Sequence, residues 1–287
     1  FLHPDLFEMI KFCKDNGIRT VIFTSGIKRT PAIPEEAIEY IKNKCKKDLE
    51  EIEEHEPWNE RLKRNVKAYY KRMINPGEFT SLTRQELEKI KGTKPSLLLH
   101  VCCGPCSGNV LKEISEFFDI TIYYSNSNIY PDTEYFRRFH ELEDFIQRFN
   151  QDFNQNIQVI EKEYQLKEYL KDISQYKEEP EGGKRCYLCY SKRMKDAYDY
   201  ACLHHFDYWT TVLSVSPHKN SQWINEIGAS FNQEKTQFLF SDFKKNNGYL
   251  KSVKFAALYN LYRQNYCGCI YSYQDMLERE KNKELQK

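Results

Sequence analysis

The pattern that most limits the fold begins at Pro95, where short apolar runs start to alternate with amphipathic stretches. "SLLLHV", residues 96–101, reads as a buried strand, and "GNVLKEISEFF" as a helix opening soon after it. "ITIYYSNSN" is the next strand and "PDTEYFRRFHELEDFIQRFN" the next helix. The alternation continues through the strand "IQVIEKEY", the helices "LKEYLKDI" and "KRCYLCYSKRMKDAYDYACLHH", the strand "YWTTVLSV", the helix "SQWINEIGASFNQ" and the strand "TQFLFS". Strands separated by helices predict an α/β fold, a parallel sheet with helices on both faces. Such sheets hold ligands beyond the carboxyl ends of their strands. "CCGPC", "NSNIYP" and "SVSPHK" all fall there.

The cysteines sharpen that expectation. There are ten: Cys13, Cys45, Cys102, Cys103, Cys106, Cys186, Cys189, Cys202, Cys267 and Cys269. Cys13, Cys45 and Cys202 sit alone in helical patterns and read as packing thiols. The other seven form three tight groups, a pattern of metal binding or redox chemistry rather than of structural disulfides. Cys186 and Cys189 form a C-x-x-C pair, open to three readings: half a zinc site, a redox pair or half a cluster site. In Cys267-Gly268-Cys269 the glycine lets the backbone bend tightly, and a disulfide there would close a very small, easily reduced ring. One zinc or one four-iron cluster takes about four thiolates, so the surplus calls for a second metal ion or a redox pair. A phosphate-cradling turn at residues 102–108 is the competing use, but no G-x-x-x-x-G-K-[ST] signature accompanies it.

Charge narrows the partners. Across 287 residues the formal net charge is +1, so no global field draws the chain to nucleic acid, and an RNA partner needs a local basic patch. No apolar run reaches membrane-helix length and no secretory signal is visible, so the expected location is cytoplasmic, without a membrane partner. Residues 1–94 read as an N-terminal extension and 95–287 as a separate α/β domain. Within the extension, residues 1–27 read as helix then strand, 35–73 as a charged helical stretch, and Thr83 as an N-cap completing a capping box with Glu86. The first residue is Phe, and the chain is expected to be part of a longer one.

"LLLHVCCGPCS", "EPEGGKRCYLCYSKRM", "TTVLSVSPHKN", "SDFKKNNGY" and "YRQNYCGCIYS" together resemble, in order and approximate spacing, the cobalamin-independent, cysteine-rich epoxyqueuosine reductases. The resemblance spans about residues 95–280 and implies a Rossmann-like sheet of the adenine-nucleotide α-hydrolase kind. It implies reduction of epoxyqueuosine to queuosine at the tRNA wobble position, with an electron donor of unknown identity. It also implies a [4Fe-4S] cluster on Cys102, Cys103, Cys186 and Cys189, with Cys106 as a further metal ligand. Cys267 and Cys269 would be a redox-active pair or ligands of a second, mononuclear iron. His100, Asp242 and Tyr266 are candidate proton donors. His100 and Asp242 also have structural readings, His100 inside a strand and Asp242 as a helix cap or in an ion pair with Lys244 or Lys245. Arg185, Lys219, Lys244, Lys245 and Arg263 are candidate RNA contacts. Residues 1–27 resemble a fragment of a radical S-adenosylmethionine barrel, without that superfamily's C-x-x-x-C-x-x-C motif. Two other readings remain: a non-catalytic zinc-stapled RNA-binding module, and an ATP-dependent tRNA-modifying enzyme of the same superfamily.

Overall fold

The computed structural model describes residues 79–284. The readings made for residues 1–78, the radical S-adenosylmethionine resemblance, Cys13 and Cys45 among them, lie outside the described residues. Five strands form one parallel sheet in the order β3-β2-β1-β4-β5. They are β1 (Ser96–His100), β2 (Asp119–Tyr124), β3 (Gln158–Glu161), β4 (Tyr208–Thr211) and β5 (Gln237–Phe238). The helices are α1 (Phe79–Lys89), α2 (Gly104–Ile114), α3 (Asp132–Phe153), α4 (Leu166–Ile173), α5 (Lys184–Leu203), α6 (Ser221–Ala229), α7 (Gly248–Leu258) and α8 (Ile270–Glu284). None of the described helices is long and apolar enough to cross a membrane.

β1 is the central strand, which is why its sequence is a continuous apolar run rather than an alternation. Leu97, Leu98 and Leu99 are fully buried. His100 is level with Tyr123 of β2 and Thr211 of β4, so three carboxyl ends finish together. The chain turns to one side of β1 for β2 and β3, then crosses to the other for β4 and β5. This reversal opens a crevice beyond β1 and β4, the place where doubly wound sheets bind ligands.

Several boundaries differ from the sequence reading. The first domain helix opens at Gly104, not Gly108, and Cys103 is its N-cap with an extended backbone (φ −172°, ψ 156°). Pro105 fits the first turn because its missing N–H has no helical partner there in any case. β4 stops at Thr211, whose hydroxyl accepts from the Leu213 amide at 3.2 Å and turns the chain into a short 3₁₀ segment, Val212–Val215. Thr83 is no N-cap: it lies inside α1 and donates to the carbonyls of Phe79 and Phe240, both at 2.7 Å. Glu86 instead accepts from the Tyr208 hydroxyl at 2.7 Å. These bonds, with Phe79 stacked on Phe240 (6.4 Å), pin α1 to the sheet although it precedes residue 95.

α2 and α7 approach closely because residue 108 is glycine. A Cβ placed there would lie 2.4 Å from the Phe255 ring, itself buried. Gly108→Ala is therefore expected to destabilise the protein by about 1–3 kcal/mol in urea unfolding, through overpacking. An unchanged midpoint would mean the two helices can part freely.

Candidate active site

Cys102, Cys103 and Cys106 follow β1 directly. The strand delivers Cys102, the N-cap position holds Cys103, and one helical turn brings Cys106 back beside it. The three Sγ atoms lie within 4.8 Å of one another, close enough to hold one metal ion. Cys103 Sγ is 2.7 Å from Cys106 Sγ and 3.9 Å from Cys102 Sγ. Gln264 Nε2 donates to Cys103 Sγ at 3.4 Å, tying the segment before α8 to this turn. The Cys103 and Cys106 thiols stabilise a Cys102 thiolate and hold its pKa well below the ordinary thiol value. Their own pKa values move up, because ionisation would place a second charge against Cys102.

Cys186 and Cys189 open α5, while Cys267 and Cys269 immediately precede α8. These four do not join the tight trio: among the described residues, the thiols close enough to share one ion are Cys102, Cys103 and Cys106. They act electrostatically on one another instead. Burial pushes Cys267 up to about 11, against the pull of Lys219, and Cys269 and Cys189 add to the rise. Burial likewise raises Cys186, whose sulfur accepts the Gly182 amide at 3.2 Å. Cys189 meets the Tyr169 hydroxyl. The C-G-C turn is fastened at several points. Tyr130 N–H donates to the Gly268 carbonyl at 2.7 Å, and Arg138 Nη1 to the Cys267 carbonyl at 3.3 Å. Gly268 has φ 127°, and a Cβ there would press on Arg138 Nη1 at 3.0 Å, so the turn requires glycine.

Cys102, Cys106 and Cys267 share the wall of a cavity of about 370 Å³, lined also by Arg193, Lys219 and Tyr190. Arg193 is buried, donates to Asn126 Oδ1 at 2.5 Å, and leaves its Nε without a partner. Among the described residues no carboxylate pairs with it, nor with half-buried Lys219. Burial opposes both charges. The Cys189 and Cys102 sulfurs more than offset this for Arg193, and those of Cys267, Cys102 and Cys106 for Lys219. Two cations thus face sulfur rather than carboxylate, the electrostatics a thiolate-bound metal centre needs. The donor set and the orphaned Nε fit an anionic sulfur-ligated metal group.

The remaining candidates divide between the cavity and other parts of the fold. His100 is fully buried under the crevice. Its Nε2–H donates to the Ser125 carbonyl at 3.2 Å and its Nδ1 accepts from the Thr211 hydroxyl at 2.7 Å. Burial, then the Arg193 charge, pushes its pKa down to about 3, so the ring is a neutral brace between strands. Asp242 pairs with Lys244 at 2.7 Å, accepts from Ser221 at 2.9 Å, and does not line the thiol cavity. Tyr266 does line it, with its hydroxyl committed to the Tyr130 carbonyl at 2.6 Å. Arg185 is buried, with Nη1 on the Lys177 carbonyl at 2.7 Å and its guanidinium over the Tyr271 ring. Lys245 is exposed and lines a separate hollow beside α1. Lys219 and Arg263 are the two RNA candidates on the thiol cavity. Sequence reading missed Arg193 altogether, although it follows Cys189 by four residues and so shares its helix face.

Together these features define a class: a doubly wound α/β protein with a sulfur-lined, cation-flanked pocket at its topological switch point, three of whose thiols lie close enough to hold a metal ion. Residues 97–275 match the family model described as "Epoxyqueuosine reductase QueH", and the chain belongs to that family. It is 42% identical over 205 residues to the epoxyqueuosine reductase QueH of Streptococcus pyogenes serotype M1, covering 69% of this chain and 80% of that protein. The Staphylococcus epidermidis protein of the same name is 40% identical over 184 residues, 63% of this chain and 77% of that one. The Thermotoga maritima protein is 31% identical over 193 residues, 66% and 95% respectively.

Proposed function

We propose that this chain reduces epoxyqueuosine in tRNA to queuosine, removing the epoxide oxygen as water. The convergence of Cys102, Cys106 and Cys267 with two sulfur-facing cations on one cavity, in a chain of this family, carries the reading. Conversion of an epoxide to an alkene and water consumes two electrons and two protons. An iron–sulfur centre, when bound, supplies the electrons one at a time. The seven clustered thiols are its proposed ligands: Cys102 and Cys103 with Cys186 and Cys189 for a [4Fe-4S] cluster, as the family resemblance implies. Cys106, Cys267 and Cys269 remain for a second metal ion or a redox pair. The gathering of Cys106 with Cys102 and Cys103 favours its use as a ligand.

The chain's own groups handle orientation and protons. Lys219, on the cavity wall and held as an ammonium, replaces His100 and Asp242 as the proposed donor to the departing oxygen. His100 has both ring nitrogens engaged, and Asp242 is held in its ion pair. At the cavity mouth, exposed His218, Arg263 and Arg279 are suited to phosphates, and exposed Tyr249 to an unstacked base. Such a local rim allows RNA binding at a net charge of +1.

The test is anaerobic purification with iron and sulfide analysis, then incubation with a reductant and tRNA bearing epoxyqueuosine. Queuosine in the digested tRNA is the expected result. A cluster-loaded protein that leaves the epoxide intact would overturn the activity, and a colourless protein holding zinc would overturn the cofactor.

A further inference from the structure

Eight buried side-chain polar atoms among the described residues lack a hydrogen-bond partner, and the residues carrying four of them line the thiol cavity. They are Asn128 Oδ1, Arg138 Nη2, Arg193 Nε and Ser252 Oγ. A buried polar atom without a partner costs about 1–3 kcal/mol, so its concentration at one cavity points to a ligand that completes it. Arg193 is accounted for by the thiols it faces. Asn128 is not: its Oδ1 is an acceptor, and neither a thiolate nor a sulfide can donate to it.

The neighbouring asparagine shows that this is particular to residue 128. In the same segment, Asn126 Nδ2 donates to the Val101 carbonyl at 2.8 Å and its Oδ1 accepts from Arg193. Asn128 is 2% exposed, yet its oxygen meets nothing. Arg138 sits close by. Its guanidinium and Ile129, the residue after Asn128, both abut Gly268, at 3.0 and 3.4 Å from the position a Cβ would take. Arg138 spends Nε on Glu134 (2.7 Å) and Nη1 on the Cys267 carbonyl (3.3 Å), leaving Nη2 over. Two residues of the cavity wall, Asn128 and Arg138, therefore carry an unpaired acceptor and an unpaired donor.

A hydroxyl group both donates and accepts, so a pair of adjacent hydroxyls matches that wall. We propose that Asn128 and Arg138 are the specificity contacts for a vicinal diol on the ring that carries the epoxide. Epoxyqueuosine has such a diol on its cyclopentane ring, and the inference rests on the activity proposed above. The contacts fix the ring's orientation, presenting the epoxide toward Cys102, Cys106 and Lys219 on the remaining walls. They also exclude rings lacking the diol, since those would leave both buried groups unpaired.

Two arms test this. In the first, Asn128→Ala is expected to raise KM for epoxyqueuosine-tRNA about tenfold, the loss of one neutral hydrogen bond. Iron, sulfide and thiol content should match the parent protein. The second arm uses unaltered protein and the free base of the product, titrated calorimetrically with and without phenylboronate, which masks its diol. Masking is expected to abolish binding, and Asn128→Ala should bind masked and unmasked base about equally weakly. An unchanged KM in the variant, or equal binding of both forms by the parent protein, overturns the assignment. In either case the parent protein still converts epoxyqueuosine, whereas failure of the activity itself shows as no conversion by the parent.

Discussion

Cys102→Ala is expected to lower conversion of epoxyqueuosine-tRNA by about three orders of magnitude or more while leaving the fold in place. The fold survives because the change removes one sulfur at the end of β1, where the backbone is held independently: the Asn126 side chain clamps the Val101 carbonyl at 2.8 Å. Removal of one small buried group costs about 1 kcal/mol, visible in urea as a small midpoint shift. Function fails because Cys102 is the thiol whose ionisation its neighbours favour, and because Lys219 and Arg193 are both drawn to it. Without Cys102 the trio becomes a pair, and the iron content of anaerobically purified protein should fall with activity. Cys202→Ala is the control: its thiol is half-buried on α5, acts on Tyr198, and does not line the cavity. Full iron content and conversion in Cys102→Ala would show that the centre is built elsewhere.

Much of this arrangement is legible in the residues. β1 and α4 sit where their apolar patterns put them, because a central parallel strand and an amphipathic helix have distinct periods. The start of α2 is not legible by period, since Gly104 and Pro105 contribute no apolar side chain to the pattern. β5 shrinks to two residues and the segments around it are irregular, because edge positions take their shape from tertiary hydrogen bonds. The sequence reading places no helix after the strand "TQFLFS", yet α7 and α8 complete the cavity there. The clustered cysteines announced the site, but not its grouping. Spacing alone cannot tell that Cys106 closes on Cys103 while Cys186 and Cys189 remain apart. Burial of charge is equally hidden. Arg138, Arg185 and Arg193 read like any surface arginines, yet all three are buried, each with different partners. His100 and Asp242 illustrate the reverse. Their residue types suggest proton transfer, while hydrogen bonds at both imidazole nitrogens and an ion pair commit them to structure.

The second large effect concerns Arg193, and its direction depends on whether metal is present. An ion-paired buried arginine ordinarily costs about 3–5 kcal/mol to remove, because its partner is left charged and alone. Arg193 has no carboxylate partner among the described residues, only Asn126 and the surrounding sulfurs. In metal-free protein Cys102 is the thiol its neighbours hold ionised, so the guanidinium's desolvation is offset by fewer charges than a metal-bound sulfur centre would present. Arg193→Met removes that burden but leaves Asn126 Oδ1 without its donor, at a cost of about 1–3 kcal/mol. The two nearly offset, and metal-free Arg193→Met is expected to unfold within about 1 kcal/mol of the parent protein. With metal bound, the ligating thiols would be deprotonated and the arginine would serve as counter-ion to the anionic centre they hold. There the substitution should weaken metal retention by about 10–100-fold, as loss of a supporting contact around metal ligands commonly does. The stabilisation that metal binding confers on unfolding should shrink accordingly. Urea titrations of metal-free and iron-reconstituted protein, parent and variant, measure all four states. A variant that is severely destabilised without metal, yet keeps iron as tightly as the parent, would show that Arg193 serves the fold and not the sulfur centre.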